Sequence, residues 1–96
     1  MTIEAFKKSL EQPAPPGDLP SLLLALWHER KGDWHAAHNI AQDEPGPDGA
    51  RVHAYLHRAE GDDWNANYWY RRAGRSMPRH SLKEEWEELA RHFLAL

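Results

Sequence analysis

The sequence predicts an all-α fold: two antiparallel helical hairpins, a C-terminal closing helix and a short N-terminal helix. Apolar residues recur every three or four positions along most of the chain, which is the pattern of an amphipathic helix. No segment alternates apolar and polar residues with β-branched enrichment, so we expect no sheet. Two Gly-Asp pairs, at 32–33 and 61–62, each combine a helix stop with a helix start and predict the corners of the hairpins.

The N-terminal residues divide into an arm and a linker. Residues 1–12 are predicted to form a helical arm, with Thr2 as the N-cap and an apolar side that includes Ile3 and Phe6. Residues 13–17 (Pro-Ala-Pro-Pro-Gly) cannot continue a helix and predict a stiff extended linker. Residues 18–96 then form a single helical domain, and the arm packs either on it or on a partner chain.

The first hairpin is predicted between Asp18 and residue 42. Asp18 caps a helix over 19–31 that holds Pro20 in its first turn, where a missing N–H costs nothing. After the corner at 32–33, a second helix covers 34–42 and ends at the Pro- and Gly-containing loop 43–47.

The second hairpin and the closing helix complete the fold. A third helix is predicted over 48–60 and a fourth over 63–73, joined by the corner at 61–62. The closing helix begins at a Ser-x-x-Glu capping box at 81–84 and runs to the C-terminus. Its predicted apolar stripe consists of Leu82, Trp86, Leu89, Ala90 and Phe93. Its predicted solvent side consists of Glu84, Glu85, Glu87 and Glu88, which are candidate partners for the arginines of the preceding turn.

The two corners lie 29 residues apart, and a fixed period of roughly 20–50 residues is typical of stacked helical repeats. Gly-Asp-Trp-x-x-Ala at 32–37 resembles the turn and second helix of a tetratricopeptide repeat. A second set is similar to the second helix of a Sel1-like repeat: Asn65, Ala66, Trp69, Tyr70 and Ala73. The resemblance covers about residues 22–74 and implies stacked helix pairs whose concave surface holds a peptide or helix. The whole chain also resembles a set of small uncharacterised bacterial proteins with His-Ala-Tyr-Leu-His-Arg and Tyr-Trp-Tyr-Arg-Arg-Ala-Gly-Arg segments.

Composition excludes several classes of function. The 96 residues contain no cysteine, so disulfides, thiolate metal ligands and thiol nucleophiles are impossible. The net charge of −3 disfavours nucleic acid as a partner. We expect a cytoplasmic protein, because the sequence has neither the pattern of a signal peptide nor an apolar run of the roughly 18 residues that a membrane span needs.

Seven histidines are the one unusual feature of the composition. His53 and His57 lie four apart on the third helix, and His35 and His38 lie three apart on the second, so each pair shares a helical face. Such pairs can bind one divalent transition metal, with Glu60 completing the ligand set. The sequence favours the simpler interpretation, in which they are partly buried hydrogen-bonding residues or exposed neutral ones and no cofactor is bound, with the metal as the alternative. Nothing marks a catalytic residue, so the sequence favours a non-enzymatic function over a small metal-dependent enzyme.

Arginines cluster at the end of the fourth helix, where positive charge is favourable without any binding function. Together with Tyr68 they could instead clamp an acidic partner. The sequence therefore predicts a protein-interaction module or self-associating adaptor, with a His-rich metal-binding protein as the alternative. The predicted interaction residues are Tyr68, Arg71, Arg72, Arg75, His53 and His57.

Overall fold

The computed structural model describes all 96 residues, which form six α-helices and no β-strand. The predicted all-α fold is confirmed. The helices are α1 (Ile3–Ser9), α2 (Ser21–Arg30), α3 (Trp34–Gln42), α4 (Gly46–Ala59), α5 (Asp63–Arg72) and α6 (Leu82–Leu94). No helix combines the length and apolarity that crossing a bilayer requires.

Two helical hairpins form the body of the fold. Helix α2 packs along α3 in the first hairpin, and α4 packs along α5 in the second. The two hairpins meet where α3 packs on α4. Both corners form as predicted. Gly32 and Gly61 have φ values of 91° and 85°, which residues with a Cβ rarely adopt. Asp33 and Asp62 each accept a hydrogen bond from the backbone N–H three residues on, at 3.1 and 3.2 Å.

Helix α6 closes the domain by packing on α1, α2 and α4. Its capping box is present, since Ser81 Oγ accepts from the Glu84 N–H and Glu84 Oε1 accepts from the Ser81 N–H, both at 3.1 Å. Phe6 of α1 is buried against Trp86 of α6, with ring centroids 5.7 Å apart. The N-terminal helix therefore packs on the body of this chain, while the division at residues 13–17 stays a prediction.

Two predicted helix starts were wrong. Asp18 does not cap α2: it lies in a turn with φ 63°, and the helix begins after Pro20, which provides no side-chain cap. Helix α4 begins at Gly46, two residues inside the predicted loop, because a proline in the first turn loses no helical hydrogen bond. The Glu44 carbonyl oxygen lies so close to Gly49 that a Cβ there would overlap it, so the loop folds tightly onto the start of α4.

Glu85 of α6 was predicted to face solvent, and this was wrong, because the residue is only 1% exposed. The predicted apolar stripe was wrong at Leu82, which is exposed. The glutamates of α6 do not pair with the arginines of residues 71–79, because α6 crosses α4 rather than the end of α5. Their side-chain partners are Lys7, Arg51, Arg58, Tyr70, His80 and Arg91.

Candidate metal centre

Three histidines from two helices meet where the hairpins touch: His38 on α3 with His53 and His57 on α4. One ring nitrogen from each histidine takes part, and these three nitrogens all lie within 4.8 Å of one another. His53 and His57 lie one helical turn apart, so their side chains share the face of α4 on which α3 packs. We term these three residues the histidine cluster.

Hydrogen bonds fix the ring nitrogens of the cluster. Nε2 of His38 lies 3.0 Å from Nε2 of His53, so one of these rings donates the bond and the other accepts it. Nδ1 of His57 donates to Oε2 of Glu60 at 2.7 Å. That bond leaves the Nε2 lone pair of neutral His57 available, which is the arrangement that orients metal-binding histidines in proteins.

Two tryptophans form the walls of the histidine cluster. The Trp34 ring stacks on His38 with centroids 4.8 Å apart, and the Trp69 ring stacks on His53 at 4.0 Å. Trp34 is itself held by a 2.7 Å hydrogen bond from Nε1 to the carbonyl of Leu56. The walls restrict the imidazole rotamers and so pre-organise the three nitrogens.

Burial keeps two of the imidazoles neutral. It lowers the pKa of His53 to about 4, with a further contribution from His38 and His57. Burial also lowers the pKa of His38, with a smaller contribution from the proximity of the His57 ring. Neutral imidazole is the form that coordinates metal ions, so at neutral pH these two rings need no net loss of a proton. The proton that one Nε2 donates to the other has to move to Nδ1 of the same ring when both Nε2 atoms bind a metal.

The donor set suits a borderline divalent metal. Zinc–imidazole bonds of about 2.0–2.1 Å place two nitrogens of a tetrahedral site about 3.3 Å apart. Nε2 of His38 and Nε2 of His53 already lie 3.0 Å apart, while the nitrogens of all three rings lie within 4.8 Å of one another, so side-chain rotation has to bring the third ring closer. Three imidazoles without thiolates suit zinc, nickel or copper rather than magnesium or calcium.

The predicted metal ligands do not all come together. His35 is exposed and lies edge-on to Trp34, at 5.4 Å between centroids, and its ring nitrogens are not among those that converge. Glu60 contacts the cluster through its bond to His57. The walls Trp34 and Trp69 were not among the predicted site residues, and no local sequence signal distinguishes them from ordinary core tryptophans.

Two of the predicted interaction residues, Tyr68 and Arg72, share an exposed face of α5 with Trp64, which was not among them. The Trp64 side chain is 77% exposed and stacks on Tyr68 with centroids 6.4 Å apart. The Arg72 guanidinium lies 5.7 Å from the centroid of the Tyr68 ring. Arg71 and Arg75 are exposed and form no salt bridge. We term Trp64, Tyr68 and Arg72 the aromatic stripe.

No protein-family model, curated protein or solved structure matches this chain significantly. The resemblance to tetratricopeptide and Sel1-like repeats therefore stays a prediction.

Proposed function

We propose that this protein binds one divalent transition metal ion through His38, His53 and His57, with Glu60 orienting His57. The observation that carries the proposal is the convergence of three imidazole nitrogens within 4.8 Å. Zinc is the first metal to test, because it favours tetrahedral sites built from nitrogen ligands. Nickel and copper bind the same donors, and their affinities follow the usual order for divalent metals.

A purely structural role is the competing explanation, in which the three imidazoles pack as neutral rings between two tryptophans. The bond between His38 and His53 satisfies one nitrogen of each ring without a metal. The metal-binding explanation is favoured by His57 and its bond to the Glu60 carboxylate. Packing alone does not require Glu60 to hold the His57 ring in one tautomer. The two explanations differ in what zinc does to stability.

Zinc is expected to bind the metal-free, untagged protein with one-to-one stoichiometry and to stabilise it. A free zinc concentration of about 1,000 times Kd would raise the free energy of unfolding by about 4 kcal/mol. Isothermal titration calorimetry and urea unfolding with and without zinc measure the two effects. His53→Ala and His57→Ala should lose the binding, and Glu60→Gln should weaken it by about 10–100-fold.

His35→Ala is the matched control, since it removes an exposed imidazole of the same hairpin that lies outside the cluster. It should bind zinc as the parent protein does. Equal zinc binding by all four variants, or none by the parent protein, would rule out the proposed site.

A second candidate function, a protein-interaction module or self-associating adaptor, is supported by the aromatic stripe. Trp64 and Tyr68 are large, exposed and stacked on one another, and Trp, Tyr and Arg are typical anchors of protein interfaces. The simplest partner is a second copy of the chain, covering the outer face of α5. The predicted repeat architecture and a cytoplasmic location belong to this proposal and rest on the sequence alone.

Self-association through the stripe is expected to depend on concentration and on Trp64. Sedimentation velocity of the metal-free protein should show an apparent mass that rises toward a dimer with concentration. The double variant Trp64→Ser/Tyr68→Ser should stay monomeric, while Arg75→Ser, a control outside the stripe, should behave as the parent chain. A parent chain that stays monomeric throughout would exclude a second copy as the partner.

A further inference from the structure

A cleft of about 320 Å³ lies against the histidine cluster, between the loop 43–47 with the start of α4 on one side and α5 on the other. His53, Trp69 and Arg72 line it from the helices, and Glu44 lines it from the loop. Its volume is at the lower end of the range for small-molecule sites. It therefore fits a ligand of a few heavy atoms rather than a large cofactor.

The His53 side chain, which lines the cleft, has one ring nitrogen without a protein partner. Nε2 of His53 faces His38, while Nδ1 makes no hydrogen bond and is not sealed from solvent. In His57, by contrast, Nδ1 donates to the carboxylate of Glu60. Metal-binding histidines almost always donate their other N–H to a carboxylate, a carbonyl or water. With a metal on Nε2, His53 would therefore present an N–H without an acceptor from the protein.

Arg72 supplies a positive charge at the same cleft. Its guanidinium lies 5.3 Å from the centroid of the Trp69 ring, donates a 3.4 Å hydrogen bond to the Tyr68 hydroxyl and forms no salt bridge. Glu44 carries the opposite charge on the loop side, so these two formal charges cancel. A divalent metal at the histidine cluster would add two positive charges and make the cleft attractive to an anion.

We propose that this cleft binds a small carboxylate that accepts a hydrogen bond from Nδ1–H of His53 and pairs with the guanidinium of Arg72. The inference rests on the proposed metal site, because metal binding through Nε2 keeps the proton on Nδ1. The planar guanidinium of Arg72 matches a planar carboxylate, which is the anion that the proposal commits to in preference to tetrahedral phosphate or sulfate. The bound carboxylate accepts from Nδ1–H of His53 as the Glu60 carboxylate accepts from Nδ1–H of His57.

Metal and carboxylate are then coupled, and the coupling is reciprocal: each strengthens the binding of the other by the same factor. Zinc titrations by calorimetry with increasing acetate should show Kd for zinc falling by about fivefold or more at saturation, within the usual range of coupling. Acetamide, an uncharged molecule of the same shape, should leave Kd unchanged. Complexes between acetate and zinc in solution act in the opposite direction, so tighter binding cannot come from them.

Arg72→Gln should bind zinc normally and lose the effect of acetate, while Arg75→Gln, an exposed arginine outside the cleft, should keep it. Sulfate at equal ionic strength should not reproduce the effect. Zinc binding with the same affinity in acetate and acetamide overturns the carboxylate site and leaves the metal site intact. An effect that sulfate reproduces, or that survives Arg72→Gln, also overturns it. Failure of zinc to bind at all overturns both proposals.

Discussion

Replacing Glu85 by alanine is expected to destabilise the protein by about 3–5 kcal/mol, because it leaves a guanidinium with little access to solvent and no carboxylate partner. Glu85 accepts a 2.7 Å bond from Arg58 and a 2.6 Å bond from the Tyr70 hydroxyl. Burial raises the pKa of Tyr70, so its hydroxyl stays protonated and keeps donating. Arg58 also donates to the His80 carbonyl, which ties the turn before α6 to the same network.

Urea unfolding of the Glu85→Ala variant measures the loss, with Lys83→Ala as the control because Lys83 is exposed on the same helix. The double variant Arg58→Met/Glu85→Met should recover much of the stability, since no buried charge then remains. A loss under about 1 kcal/mol for Glu85→Ala would match an exposed ion pair and contradict this account of the network.

Local signals predicted the helices of this protein well. The bounds of α3, the two Gly-Asp corners and the capping box of α6 depend on residues within three or four positions of one another. The burial of Glu85 could not be predicted in this way. Its partners Tyr70 and Arg58 lie 15 and 27 positions away, so its environment depends on how α6 crosses the second hairpin.

The same distinction applies to the candidate site. Spacing along α4 predicted that His53 and His57 share a face, because four residues make about one helical turn. Spacing could not decide whether His35 or His38 of α3 would meet them, since that depends on how the hairpins dock. The cleft beside His53 was equally hidden, because α5 and the loop 43–47 supply its walls from distant parts of the chain.

Trp86, the residue after Glu85 in α6, packs against α1 and α2. Its replacement by alanine is expected to lower the free energy of unfolding by about 3–5 kcal/mol, the range for removing a large buried aromatic ring. The side chain is 1% exposed and stacks on Phe6 of α1. Its Nε1 donates to the Leu26 carbonyl of α2 at 3.0 Å, and the Arg30 guanidinium lies 4.1 Å from the ring centroid. One residue therefore joins α1, α2 and α6.

A domain of this size is stabilised by only about 5–15 kcal/mol, so Trp86→Ala should remove about a fifth or more of the free energy of unfolding. Circular dichroism with urea unfolding tests this, and Trp64→Ala is the matched control. The same ring is lost there from an exposed position, which should change stability by no more than about 0.5 kcal/mol. Similar losses for the two tryptophans would mean that α6 does not close the core through Trp86. A large loss confined to Trp86→Ala would support a core that α6 closes through this buried ring.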